Sequence, residues 1–424
     1  MLVQFVSVLP GLLGPALLVA VYAALLAPGG GRRPSRSSYL RLLGLVLGLV
    51  GALVFAGLRA SAVINRRTMV NLPTLYACVL VDLLALGLVL VSARVLSQGR
   101  QRPAILAWAN ALAGLSIALT VFRALPDVIL QLTNFVEPGT PIFTSEMLMR
   151  ALGFLLGVLA ACLVAFIFRS LIKTSPRWVF ALAAFFLLLL LTIQHATALF
   201  ALLQNSGDLV VHGAPFRILA FFYNANRWLT LAQVCVFLLP ALASVIAGYR
   251  LPLQGFDPAQ VRQHKAFRRR ATALAIWSLL AVIGVGATLT VGLAQAYKQP
   301  ALSPPEHYSL QAQEITIAFP QVNDGHLHRF EYKAEDGTVM RFIIIKKNGG
   351  AYGIGLDACE NCGPAGYFER DGKIICKRCD VAINVATIGY RGGCNPIPFD
   401  FTTSRGQIHI QTATLDALSA VFNV

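Results

Sequence analysis

Five cysteines fall within 36 residues near the end of the chain, at Cys359, Cys362, Cys376, Cys379 and Cys394, in the pattern C-x2-C-x13-C-x2-C-x14-C. Each C-x2-C pair can place two thiolates on one tight turn, and two such knuckles brought side by side can surround a metal tetrahedrally. Three other chemistries use similar text. A structural zinc ribbon has the same spacing. A disulfide framework suits a compartment outside the cytoplasm, but five is an odd number and knuckle spacing favours metal. A thioredoxin-like dithiol needs a strand leading into a helix start, and neither Cys359-Glu-Asn-Cys362 nor Cys376-Lys-Arg-Cys379 has that setting. Cys394, in Gly-Gly-Cys-Asn-Pro-Ile-Pro, bears on the choice of metal. A closed four-thiolate zinc site has no use for a fifth thiolate, whereas an iron-sulfur cluster can use it as an alternative ligand or at a second metal position.

The segment between the knuckles must fold back on itself for the pairs to meet. It contains Asp371–Gly372, a hairpin turn signal between two short strands. Upstream, strands are expected over Glu314–Phe319, Leu327–Lys333, Thr338–Lys347 and Ala351–Leu356, separated by the turns Asp336–Gly337 and Asn348–Gly349. His326 and His328 stand at the start of the second strand and, being two apart, share a face if the strand has begun by His326. A surface histidine is usually inert; each is a candidate ligand only if the fold carries it to the cysteines.

The rest of the chain is of a different kind. Hydrophobic residues make up 56% of the 424 and charged residues 13%, against about 25% charged in soluble proteins. The apolar text fills residues 1 to about 296 in runs near 2–27, 39–58, 70–93, 104–122, 151–168, 178–203, 228–249 and 271–296. Each is long enough to cross a bilayer, which takes about 20 apolar residues. The first run lacks a basic n-region and is followed by Arg32–Arg33, so it reads as a retained helix and not as a cleaved signal. Lys298, Pro300, Pro304 and Pro305 then break any helix. The expected architecture is a polytopic α-helical membrane protein of about eight transmembrane helices over 1–296. A β-rich, cysteine-containing metal-binding domain follows over 297–424.

The net charge of +16 does not mark a nucleic-acid binder. Residues 297–424 carry 12 Lys/Arg against 13 Asp/Glu, and residues 1–296 carry 23 against 6, with the excess beside the spans. That is the distribution of positive-inside topology. With the N-terminus outside, 16 of those basic residues lie inside, including Arg262, Lys265, Arg268, Arg269 and Arg270, and 7 outside. Arg59, Arg66 and Arg67 go against the rule. The C-terminal domain is therefore expected on the outer face, the periplasm of a Gram-negative cell.

Ionisable groups at membrane depth are costly. Asp82 lies mid-span in the third helix and His195 within the sixth, while Arg123 and Asp127 flank Pro126 near the end of the fourth. The plain reading is hydrogen bonding between helices. The functional reading is a proton, quinone or ion path with Asp82 and His195 as relay stations. Bis-histidine haem ligation needs two imidazoles at membrane depth, and His195 is the only histidine clearly there. Cys78, Cys162 and Cys235 lie within spans and read as small apolar residues.

The runs Asp324-Gly-His-Leu-His-Arg-Phe, Ala358-Cys-Glu-Asn-Cys-Gly-Pro-Ala-Gly-Tyr, Ile375-Cys-Lys-Arg-Cys-Asp and Ile388-Gly-Tyr-Arg-Gly-Gly-Cys-Asn-Pro-Ile-Pro resemble the FtrD-like family of membrane iron-sulfur proteins. The likeness covers about 310–424; the helical half matches only in general layout. The resemblance implies that Cys359, Cys362, Cys376, Cys379 and Cys394 are the family cysteines and that His328 is the histidine of the D-G-x-x-H element. It implies an iron-sulfur cluster, and as partners a periplasmic iron-binding protein, a cupredoxin-like protein and an iron permease. On this reading the protein is an electron-transfer component of a bacterial cell membrane. The alternative is a transporter or scaffold whose outer domain carries a structural zinc or iron-capture site. Against transport, Asp82 is the only carboxylate well inside a span, and no glutamate-rich helical motif appears. No hydrolytic or transferase motif is present either.

Overall fold

The computed structural model describes the chain except residues 28–35, 65, 67, 100, 135–142, 255–256, 299, 371 and 424. Arg32, Arg33, Arg67, Arg100 and Asp371 thus lie outside the described residues. The chain forms two compact units, Met1–Tyr297 and Lys298–Val424.

Among the described residues, eight helical spans of the first unit are long and apolar enough to cross a membrane, so the protein is a multi-pass membrane protein. They comprise α1 (Leu2–Leu25), α2 (Tyr39–Ala60), α3 (Thr68–Gly99), α4 (Pro103–Ile129), α5 (Ser145–Ser170) and α6 (Arg177–Ser206). After α7 (Gly213–Asn224), the seventh span is α8 (Asn226–Cys235) continued by α9 (Leu238–Tyr249). The eighth is α10 (Pro258–Ala287), a π-helical turn at Thr288–Gly292, and α11 (Leu293–Ala296). α10 starts well before its apolar run, so Arg262, Lys265 and Arg268–Arg270 are helical.

Helix α1 runs through the middle of the bundle, with Leu9, Leu13, Leu17 and Leu18 enclosed. Small residues let other helices approach closely. A Cβ on Gly44 of α2 would overlap the carbonyl of Gly114 in α4. Basic side chains meet helix ends, where the last carbonyls lack intrahelical donors. Arg177 donates to Ala27 O at 3.1 Å, and Arg268 to the carbonyls of Gly248 and Tyr249 at 3.4 Å. Arg59 donates to Asp127 at 2.7 Å, which neutralises one charge of the connection that runs against the positive-inside rule.

The described residues of the second unit form three antiparallel sheets. β1 (Ser309–Gln311), β2 (Glu314–Ala318), β9 (Thr402–Ser404) and β10 (Gln407–Gln411) pair in the order β1-β2-β10-β9. β3 (His328–Lys333), β4 (Val339–Lys346) and β5 (Tyr352–Leu356) form the second sheet. β6 (Tyr367–Arg370), β7 (Lys373–Cys376) and β8 (Ala382–Ile383) form the third. The continuous run Phe342-Ile-Ile-Ile345 marks a strand buried on both faces. Phe342 and Ile344 join the core with β2 and β10, while Ile343 and Ile345 join the one that holds Cys359, Cys362 and Cys376. β4 is thus the wall that both cores share. A short helix, α12 (Thr412–Asp416), follows β10.

Candidate metal centre

The first knuckle follows β5. Cys359 and Gly363 exchange backbone hydrogen bonds at 3.2 and 2.9 Å, and the Cys362 amide donates to Cys359 Sγ at 3.1 Å. Gly363 holds φ +66°, a left-handed turn that favours glycine. The β6–β7 hairpin then returns the chain, with Tyr367 opposite Cys376 in register. The second knuckle closes through Asp380 N to Cys376 O at 2.9 Å. Arg378, between its two cysteines, donates to Cys362 O at 3.0 Å and ties one knuckle to the other. Cys394 is delivered by a loop whose Ile397 amide bonds Ala358 O at 3.0 Å, and Tyr367 Oη donates to Cys394 O at 2.8 Å.

Two overlapping sulfur triplets result: Cys359, Cys362 and Cys376, and Cys362, Cys379 and Cys394, each with its atoms within 4.8 Å of one another. Cys362 belongs to both. Cys379 Sγ and Cys394 Sγ are 3.7 Å apart. Cys359, Cys362 and Cys376 are buried, Cys394 is half-buried and Cys379 is exposed. Burial, with the sulfurs of Cys379, Cys376 and Cys359, pushes the Cys362 thiol well above its ordinary value, and burial also raises that of Cys376. The Val381 amide pulls Cys379 the other way. The hydrogen bond with Cys379, then burial, raises Cys394. A soft, thiol-only donor set of this kind fits zinc or an iron-sulfur cluster and does not fit magnesium or calcium. Such a metal binds thiolates and so displaces the protons that burial retains.

His328 does not join the sulfurs. Its Nδ1 lies 2.8 Å from Glu306 Oε1 and its Nε2 2.8 Å from Asp324 Oδ1, so carboxylates occupy both ring nitrogens. β3 begins at His328, leaving His326 before the strand, exposed and 2.9 Å from Glu369.

The residues that sequence reasoning missed lie behind the first knuckle. Asp357, two residues before Cys359, is fully buried and meets Arg329 Nε at 2.9 Å and Arg341 Nε at 3.1 Å. Its other oxygen accepts the Tyr367 amide at 2.8 Å. Arg329 also donates to Tyr367 O and to Ser303 O. One carboxylate thereby fixes β3, β4, the first knuckle and the hairpin to the second. The sequence does not single them out, since β3 also carries Glu331 and Lys333 and β4 also carries Lys346.

In the helical unit, Asp82 and His195 meet: Nδ1 and Oδ2 are 2.6 Å apart between α3 and α6, both residues buried. Arg123 and Asp127 do not pair; Asp127 is taken by Arg59. Cys78 is buried, Cys235 half-buried and Cys162 exposed, all as free thiols.

The chain matches no curated protein and no solved structure. A family model described as "Membrane iron-sulfur containing protein FtrD-like" matches residues 322–422. Over that stretch, which holds all five clustered cysteines, the chain is similar to FtrD-like membrane iron-sulfur proteins.

Proposed function

We propose that Cys359, Cys362, Cys376, Cys379 and Cys394 hold an iron-sulfur cluster and that the protein is a membrane-bound electron-transfer component. The observation that carries this is the sharing of Cys362 between two sulfur triplets. A single zinc ion at about 2.3 Å from each sulfur needs four sulfurs close together in one tetrahedron. Among the described residues no four of the five come within 4.8 Å of one another. Five thiols spread over two adjoining positions suit a polynuclear centre better than one ion. The similarity of residues 322–422 to membrane iron-sulfur proteins supports the same reading. The metal is assigned to the sulfurs; His328, held by two carboxylates, is assigned the role of bracing the neighbouring strand.

The distribution of basic residues supports placing the C-terminal unit on the outer side of a bacterial cell membrane. There the centre would exchange electrons with a periplasmic iron-binding protein or a cupredoxin-like protein, in support of iron uptake by a separate permease. When bound, the cluster would supply one-electron transfer. The chain's own part is to exclude water with Tyr367, Ile374 and Ile383 and to hold the knuckles rigid through Arg378 and Asp357. The full-length protein, purified without oxygen, tests this through iron and acid-labile sulfide analysis and a visible spectrum that bleaches with dithionite. Stoichiometric zinc in a colourless protein contradicts it.

A further inference from the structure

The helical unit contains a cavity of about 520 Å³, within the range of small-molecule sites. Its walls come from α1, α4, α6 and α8, and Phe222 and Tyr223 of the non-spanning helix α7 border it. Pro10 and Gly11 of α1 stand one turn from Ser7, whose hydroxyl lies 3.0 Å from Tyr297 Oη just past α11. The cavity therefore sits toward the end of the bundle from which the last helix leads.

Its polar groups are unusual for membrane depth. His195 lines it, with Nδ1 committed to the buried Asp82 and with Nε2 free of any hydrogen bond among the described residues. Arg123 lines it too, and its Nε is buried without a partner. Gln233 donates to Gln194, which in turn donates to Asn226 at 2.8 Å, so a chain of amides forms another part of the wall. Pro15, Leu191 and Leu229 are apolar. A buried donor left unpaired is costly, so the Arg123 Nε calls for an acceptor that arrives from outside the chain.

We infer that this cavity binds the headgroup of a lipid-soluble quinol or quinone. A flat ring carrying oxygen at both ends matches a site with guanidinium and amide donors, an imidazole acceptor and apolar walls. A quinol hydroxyl donates to His195 Nε2, the ring nitrogen left as acceptor when Nδ1 donates to the Asp82 carboxylate at 2.6 Å. An anionic lipid headgroup suits the cavity less well, because the one cationic side chain named is offset by the carboxylate behind His195. The inference rests on the electron-transfer reading for its purpose. Oxidation of one quinol converts two O–H bonds to C=O and releases two protons and two electrons. One proton goes to His195 and one to water, and the two electrons leave singly to a one-electron acceptor, the chemistry an iron-sulfur cluster held by Cys359, Cys362, Cys376, Cys379 and Cys394 would supply.

Binding is tested on the full-length protein in nanodiscs with a photoactivatable azidoquinone, followed by peptide mapping. Saturable labelling of α6 and α8 is expected, displaced by decylubiquinone and not by inorganic phosphate. Ala198→Phe fills the cavity while keeping every polar group, and His195→Leu removes the acceptor; each should weaken labelling about tenfold or more. Label scattered over lipid-facing helices, displaced by phosphate, or unchanged in both variants overturns the inference. The labelling map of the unaltered protein decides even if a variant fails to fold. Failure of dithionite to bleach the cluster sinks the electron-transfer reading and leaves the labelling result standing. Bleaching by dithionite without quinone labelling sinks only the quinone site.

Discussion

Arg329 Nε lies 2.9 Å from Asp357 Oδ2, and both side chains are fully buried. The pair stands directly behind Cys359, so the framework of the first knuckle depends on a charge-assisted contact in a low-dielectric core. Removing one partner of such a pair costs about 3–5 kcal/mol because the other charge is left buried and alone. Asp357→Ala should therefore unfold the C-terminal unit or strip its metal at temperatures where the parent keeps it. Arg341, partly exposed on the same carboxylate, should matter less: Arg341→Ala is expected to cost about 1 kcal/mol. Urea unfolding followed by metal absorbance checks both, and equal losses would contradict the ranking.

Cys394 separates a cluster from a four-thiolate structural site. Cys394→Ser should lower iron content or alter the visible spectrum, because its sulfur is half-buried and 3.7 Å from that of Cys379. Cys162→Ser, in a span and far along the chain from the five, should change neither. Full metal retention with an unaltered spectrum in Cys394→Ser would place the fifth thiol outside the centre.

The Glu306–His328–Asp324 contact makes stability depend on pH. Burial alone would lower the His328 imidazole, but the hydrogen bonds its ring donates to Asp324 and Glu306 outweigh it and raise it above its usual 6.5. Its contribution is thus fully present below about pH 6.5 and is lost as pH rises through the raised value. Asp324 is held below its usual 3.8 by the His326 amide and the His328 ring, so its contribution is lost only as pH falls through that lowered value. The difference in unfolding temperature between the parent and His328→Gln should be largest near pH 5.5 and shrink toward pH 8. A difference independent of pH would contradict the assignment. His326, raised by Glu369 in the same direction, is present in both proteins and cancels.

The crossing of α2 and α4 depends on Gly44 and Gly114, where an added Cβ would meet backbone carbonyls that cannot move aside. Gly114→Val should abolish folded protein in the membrane, whereas Gly57→Ala, on the same α2 but with nothing within 4 Å, should be silent. Yield and monodispersity by size-exclusion chromatography read the result.

The eight long helices and the β-rich, cysteine-bearing end are legible in the sequence because uninterrupted apolar runs and turn dipeptides leave few physical alternatives. The helical start of α10 is not, since Arg262 to Arg270 read as a loop; a basic face on a helix extending beyond the apolar run carries no hydropathy signal. β1 and β9 are three-residue exposed strands with no alternation to detect. His326 and His328 share a face only if the strand includes both, and β3 begins at His328. Knuckle spacing carries the meeting of the cysteines, but Cys362 standing in both triplets depends on the hairpin register of Tyr367 with Cys376, which spacing does not contain. Asp357 is invisible for a similar reason: its partners Arg329 and Arg341 are assembled by three strands, not by proximity in the chain.

Low-temperature electron paramagnetic resonance of the full-length protein, purified without oxygen and reduced with dithionite, tests the central claim most directly. The account predicts a paramagnetic iron-sulfur signal that disappears in Cys362→Ser, the variant that breaks both sulfur triplets. A silent spectrum from protein carrying one zinc per chain would contradict it, because zinc has no redox state to change.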